Sequence, residues 1–449
     1  MNMTVNTRSV ILDALIEICE KNEYTHKVLS EALNKYRFLE NTDRSFINRT
    51  VLGTVERKIT IDYILNLYSK TPVDKMKPVI RNILRMSVYQ LVYMESMKDF
   101  AVCNEAVKLA AKRGFVNLKG YVNGVLRNIA RNTDNIRYPD ENDFVKYMSV
   151  AYSTPEWIIE NWEKEYGRTT TEGILKAQFC DRPLMIRCNL SKCSADELAY
   201  ELKSQGVCVK KSGIIPEALE ISEYDYLEKV DAFNNGLFSV QDLSSMLVCH
   251  ACTPVKGYVL DLCAAPGGKS LHIAETLKGS GMVESRDVSE YKVSLIDDNI
   301  KRLGLSNIKT RVRNACDFEK ESEQKADYVI ADVPCSGLGI LNKKPDIKYH
   351  ASADKCKELV ILQRQILSNA CRYVKPGGVL CFSTCTINSM ENGSNVKWIL
   401  DNFPFEIVDI RENIPESLHR FINDDNTMQI LPDEEGNYDG FFIAVLKRT

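Results

Sequence analysis

The run Asp261-Leu262-Cys263-Ala264-Ala265-Pro266-Gly267-Gly268-Lys269-Ser270 (DLCAAPGGKS) separates a short apolar segment, YVLDLC, from a segment with helical spacing. A strand, a turn of small residues and then a helix is the signature of a parallel α/β sheet, whose ligands gather at the carboxyl ends of its strands. Two nucleotide signatures are excluded. A Walker A loop needs glycine five positions before Gly268, where Cys263 stands, and the GxGxxG fingerprint is absent. What remains, Ala264 to Gly268, lets a ligand approach the backbone closely at a helix N-terminus.

The same alternation continues downstream through GMVESRD, SEYKVSLIDDNIKRLGL, IKTRVRNA, DYVIADV, LVILQRQILSNACRYV, GGVLCFST, FEIVDI and FFIAVLKR. It predicts a doubly wound, mostly parallel, Rossmann-like sheet over 236–449. Asp287 ends the second strand nineteen residues past Gly268. An acid at that distance is placed to accept hydrogen bonds from ribose hydroxyls. Asp317 follows the third strand, where it would meet an adenine edge. A nucleoside cofactor without a pyrophosphate, such as S-adenosyl-L-methionine, suits this set, and no metal is expected.

DYVIADVPCSGLG (327–339) ends the fourth strand at Asp332, with Pro334 stopping it and Cys335 next. FSTCT (382–386) ends the following strand and delivers Cys385 to the same rim. Two thiols and a carboxylate beside a methyl donor point to covalent catalysis on a pyrimidine. Carbon 5 of that ring is a poor nucleophile until a thiolate adds to C6. Free cysteine is only a few per cent thiolate at neutral pH, so Lys269 and nearby amides are candidates to favour the anion. Spacing alone leaves open which cysteine attacks.

Composition sets this site in a larger frame. The 449 residues, 44% hydrophobic and 27% charged, suit a soluble globular protein of about three domains. The early charges of the N-terminus and the lack of a long apolar run predict a cytoplasmic chain without signal peptide or membrane span. Fifteen cysteines in such a chain read as reduced thiols. Cys249-His250-Ala251-Cys252 has CxxC spacing but falls in a helical pattern without a second pair, so helix packing is expected there.

Residues 1–140 read as all-helical and hold 22 Lys+Arg against 15 Asp+Glu, on a chain of net charge −3. A basic third on an acidic body points to a polyanion-binding module. Its densest patch, Lys112, Arg113, Lys119, Arg127 and Arg131, suits phosphate contacts and is not marked as a base-stacking platform. Residues 141–235 alternate strand and helix as a small α+β linker domain.

CAAPGGK, DVPCSGLG, KKPDIKY, KPGGVLCFSTCTINSMEN and YDGFF, with YSTPEWI and FSVQDLSS before them, resemble the successive motifs of the RsmB (Sun/Fmu) family of small-subunit ribosomal RNA cytosine-5 methyltransferases. The likeness covers essentially the whole chain, with 1–140 similar to that family's NusB-like RNA-binding domain. The resemblance implies Cys385 as nucleophile and Cys335 as the thiol that releases product. It implies Asp332 at the N3/N4 edge of the cytosine, with Lys269 also at the reacting centre. It further implies S-adenosylmethionine bound by Cys263 to Lys269, Asp287, Asp317 and Asp332, and a 16S rRNA substrate modified at a site of the 967 type. Lys343 and Lys344 stand where arginines are common and join the candidate RNA contacts. Arg286, beside Asp287, departs from a usually apolar or small residue. The target base must leave its stack to reach a rim pocket, and the chain is expected to act as a monomer. Two rival classes are a methyltransferase of proteins or small molecules, which needs no thiol, and a non-catalytic RNA-binding factor, which needs no cofactor turn.

Overall fold

The computed structural model describes residues 5–254, 256–433 and 438–449. They divide into two compact units, one of residues up to Gln178 together with Leu341–His350, the other of Phe179–Ile340 and Ala351–Thr449.

The first unit is helical. Its helices include Thr7–Lys21, Asn41–Glu56, Lys58–Tyr68, Pro78–Tyr93, Asp99–Lys112 and Lys119–Ala130. Each buries one apolar face, as its 3.6-residue spacing demands. Ile11, Leu15, Ile47, Ile64, Ile83, Leu84 and Leu126 are fully enclosed in the shared core. Asn6 caps the first helix by accepting the Ser9 N–H at 2.9 Å. Leu341–His350, which the sequence reading assigns to the catalytic domain, packs in this unit instead. The reason is polar: Asp346 accepts the Thr25 N–H at 2.8 Å, and the buried Lys348 ammonium donates to the Glu56 carbonyl at 3.0 Å. Burial pushes that ammonium down to about 7.

The second unit carries two sheets. In the smaller one, β1 (Leu184–Cys188), β2 (Cys208–Lys211), β3 (Ala218–Ser222) and β4 (Phe238–Val240) lie antiparallel in the order β2-β3-β1-β4. The fourth strand therefore comes from beyond residue 235. Helix Ala195–Ser204, closed by a Ser194/Glu197 capping box, covers one face with Leu198 and Leu202.

The larger sheet contains β5 (Gly257–Asp261), β6 (Gly281–Asp287), β7 (Ile308–Val312), β8 (Ala326–Asp332), β9 (Val374–Thr384), β10 (Phe405–Ile407), β11 (Met428–Ile430) and β12 (Phe441–Arg448). Its order is β10-β12-β9-β8-β5-β6-β7, with β11 on β12. The run from β7 to β9 is parallel; β10, β11 and β12 add an antiparallel edge. From β5 the chain winds outward through β6 and β7, then returns to β8 on the other side. The switch point thus falls between β5 and β8. Val329, Ile330, Leu380, Cys381 and Phe382 have no exposed surface, as expected for strands covered on both faces. Among the described residues no helix is long and apolar enough to cross a membrane.

Candidate active site

Asp287, Asp261, Asp332 and Thr384 are the last residues of β6, β5, β8 and β9, which lie side by side. Strand spacing of about 4.8 Å makes this rim about 14 Å long across three intervals. A nucleoside can lie along one half and a second reactant along the other.

The cofactor turn leaves β5 and becomes helix Gly268–Leu277. Its Ala265–Pro266 peptide is cis, and Gly267 sits at φ +110°, a conformation open to glycine. A Cβ at Gly267 would also meet Leu271 Cδ1 at 3.0 Å. Asp287 fixes the turn from β6: its carboxylate accepts the Ala265 N–H at 2.9 Å and the Val288 N–H at 2.7 Å, and pairs with Lys292 at 3.0 Å. Asp261 lies beneath the turn, accepting from Ser270 Oγ at 2.6 Å, while its other oxygen is buried without a partner. Burial raises its carboxyl to about 7. Cys263 is half-buried behind the turn, and burial pushes its thiol well up. Arg286 does not intrude. Alternation along β6 sends it to the opposite face, where it is buried against Glu284 at 2.6 Å and Glu319 at 2.9 Å. Asp317 is exposed in the turn after β7, its backbone closed onto Asn314 and Tyr373.

On the other half of the rim the two thiols meet, with Cys335 Sγ 3.3 Å from Cys385 Sγ. Beside them Lys269 Nζ pairs with Asp332 Oδ2 at 2.6 Å, and Ser383 Oγ donates to Asp332 Oδ1 at 2.8 Å. The parallel register of β8 and β9 sets Asp332 opposite Ser383, so adjacent strand ends bring these groups together. Burial disfavours the Lys269 charge, but Asp332 and, more weakly, Cys385 hold its pKa above the ordinary value. The neighbouring Cys385 and burial push the Cys335 thiol well above its usual range. The Lys269 ammonium acts on Cys385 as well as on Asp332.

Several supporting residues escaped the sequence reading. Glu391 is fully buried and accepts from Ser336 N–H at 2.8 Å, Gln363 Nε2 at 2.9 Å and Asn388 Nδ2 at 2.9 Å. It locks the Pro-Cys loop to the loop after β9. Gly339 and Gly440 touch: Gly440 N–H donates to Gly339 O at 2.8 Å, and Gly339 N–H donates to Cys385 O at 3.1 Å. No local sequence signal marks either; the glycines at the ends of CSGLG and YDG were the available hint.

In the helical unit, Arg127 and Arg131 flank a cleft of about 440 Å³ with Phe100, which is 72% exposed. Phe100 comes from the preceding helix. Lys112 and Lys119 are exposed, as are Lys343 and Lys344. Arg113 differs, since its guanidinium is held by Asp13 at 2.6 Å and by the Ser9 carbonyl at 3.2 Å.

Known proteins match this chain along its length. The family of 16S rRNA methyltransferase RsmB/F matches residues 253–447, the NusB family matches 5–131, and an RsmF/B-like ferredoxin-like domain matches 154–225. The chain is 35% identical, over 99% of both sequences, to a probable ribosomal RNA small subunit methyltransferase B of Bacillus subtilis. It is 27% identical to ribosomal RNA small subunit methyltransferase B of Photorhabdus laumondii over the full length of both. Among solved structures, PH0851 covers all of both chains at 27% identity and a TM-score of 0.80. A methyltransferase homolog protein from Pyrococcus horikoshii covers 68% of this chain and 99% of its own at 25% identity and a TM-score of 0.59. With its helical, ferredoxin-like and mixed-sheet parts each matched in order, this chain belongs to the RsmB/F family of small-subunit rRNA methyltransferases.

Proposed function

We propose that this chain transfers a methyl group from S-adenosylmethionine to carbon 5 of a cytosine in 16S rRNA, at a site of the 967 type, through a covalent adduct between Cys385 and C6. The observation that carries the reading is the 3.3 Å thiol pair set against the Lys269–Asp332 ion pair. A nitrogen or oxygen acceptor needs no such sulfur, and a purely RNA-binding protein needs neither thiols nor turn.

The turn suits S-adenosylmethionine: a glycine-bearing helix start, the orphaned buried oxygen of Asp261 and the fixed Asp287 leave donors and acceptors along a nucleoside-sized rim. Cys263 to Lys269, Asp287 and Asp332 would hold it, with the exposed Asp317 at the outer end. When bound, it supplies the activated methyl group. Lys269 stabilises the sulfur anion with which Cys385 attacks. Attack of Cys385 on C6 pushes an electron pair toward the N3/O2 side of the ring. Asp332, its oxygens oriented by Lys269 and Ser383, accepts from the N4 amino group at the N3/N4 edge, and the Lys269 ammonium beside it offsets the developing charge. Carbon 5 becomes nucleophilic and takes the methyl group. Removal of the C5 proton then lets the C6–S bond break, returning sulfur to Cys385, with Cys335 as the thiol that assists release. The exposed cations at Lys112, Lys119, Arg127, Arg131, Lys343 and Lys344 supply phosphate contacts. Arg113, already paired, contributes least.

Incubating the protein with tritiated methyl donor and 16S rRNA lacking the modification, then mapping the label, tests this. Label on C5 of one cytosine is expected. Label on a nitrogen, on a ribose or on protein would refute the assignment.

A further inference from the structure

We propose that Glu217, His250 and His272 form a binding site for one divalent transition-metal ion of the zinc type, sharing no residue with the thiol centre. His250 comes from helix Leu243–Cys252, His272 from helix Gly268–Leu277, and Glu217 immediately precedes β3. Both imidazoles aim Nε2 at the same carboxylate oxygen, at 2.6 Å from His250 and 3.3 Å from His272. The three donor atoms all lie within 4.8 Å of one another. Zinc bonds of about 2.0–2.1 Å at tetrahedral angles place ligand atoms about 3.3–3.4 Å apart. The His272–Glu217 pair already has that spacing, and His250 needs to withdraw by less than an ångström.

The chemistry of the donors agrees. Two imidazoles and one carboxylate form a set used for zinc with a fourth position left to water.

An independent observation points to an occupant. The three residues line a cavity of about 470 Å³ together with Glu275 and Arg187. His272 Nδ1, Glu275 Oε1 and Arg187 Nη2 are buried there without hydrogen-bond partners. A half-satisfied buried network is costly, and these unpartnered polar atoms mark the cavity as suited to a polar or charged occupant. Arg187 does not repel the cation outright, because Glu275 neutralises it through a direct ion pair. Around the cavity the two carboxylates, Glu217 and Glu275, face two cationic side chains, Arg187 and Lys278. The neighbouring Cys249 thiol is engaged elsewhere, with Thr276 Oγ1 at 3.5 Å. The ion would tie the small sheet to the helix that opens with the cofactor turn, so it would act as a structural clamp.

The test is titration of the full-length, chelator-stripped protein with Co²⁺, followed by competition with Zn²⁺. One equivalent should bind with visible d–d bands and without sulfur-to-cobalt charge transfer. Zn²⁺ should raise the melting temperature. His250→Gln, at a half-exposed position that tolerates substitution, should weaken Co²⁺ binding by more than about tenfold and abolish the Zn²⁺-dependent rise; Glu217→Gln should do the same. No saturable binding, or a thiolate charge-transfer band indifferent to His250→Gln and Glu217→Gln, would overturn the site.

Discussion

Adding one methyl group at Gly339 should uncouple the nucleophile from its pocket. A Cβ built there lies 2.2 Å from the Gly440 carbonyl oxygen and 2.6 Å from its carbon, both backbone atoms. Ordinary contact begins near 3.4 Å, so the two loops must part by roughly 1 Å, and a close-packed interior has no slack to absorb that. Gly339 N–H holds the Cys385 carbonyl at 3.1 Å, so the movement passes directly to Cys385, the proposed nucleophile. A misplacement of about 1 Å costs about a hundredfold in rate, equivalent to about 2.7 kcal/mol of barrier. Overpacking should also lower stability by about 1–3 kcal/mol. Single-turnover methylation at saturating donor and RNA, run well below the melting temperature, separates the two effects. Gly393→Ala is the control, because a Cβ there meets nothing within 4 Å. If Gly339→Ala keeps the wild-type rate, or Gly393→Ala loses as much, the coupling of these loops to Cys385 is wrong.

Asp261 makes stability fall with pH. Its carboxyl rises from 3.8 to about 7 on folding, so below about 3.8 both states hold the proton and its contribution is complete. Between there and 7 the unfolded chain releases the proton first, and up to about 4 kcal/mol is lost. Urea unfolding at pH 5 and pH 8 should show the part of that loss falling above pH 5, about 2.7 kcal/mol, in the wild type and a flatter profile in Asp261→Asn; parallel profiles would contradict it. Arg127→Ala and Arg131→Ala should each lower the salt dependence of rRNA binding by about one unit of slope. Arg113→Ala, which breaks the Asp13 pair, should leave that slope unchanged; a change there alone would reverse the assignment.

The sequence is most legible where local pattern and tertiary position coincide. Buried parallel strands read as short apolar runs, and each puts its last residue on the rim, so Asp287, Asp332 and Cys385 are found from their places in the chain. Cys335 and Cys385 are fifty residues apart, yet adjacency of β8 and β9 is enough to join them. What stays hidden depends on contacts between distant segments. The Gly339–Gly440 approach spans two loops with no shared periodicity. Glu391 reads as a loop acid in SMENG, and only the fold reveals its three donors. Phe100 reaches Arg127 from another helix. Asp346 and Lys348 look like part of the catalytic sequence because nothing local reports that Thr25 and Glu56 receive them. The CxxC spacing drew attention to Cys249 and Cys252, both buried in packing, while the converging donors prove to be His250 between them and two residues far away.

The central claim is that Cys385 supplies the sulfur that bonds to the base. Mixing methyl donor and unmodified 16S rRNA with Cys335→Ala, then resolving the products on a denaturing gel, tests it most directly. A stable protein–RNA adduct is expected from Cys335→Ala and none from Cys385→Ala. Adduct from Cys385→Ala, with none from Cys335→Ala, would contradict the account.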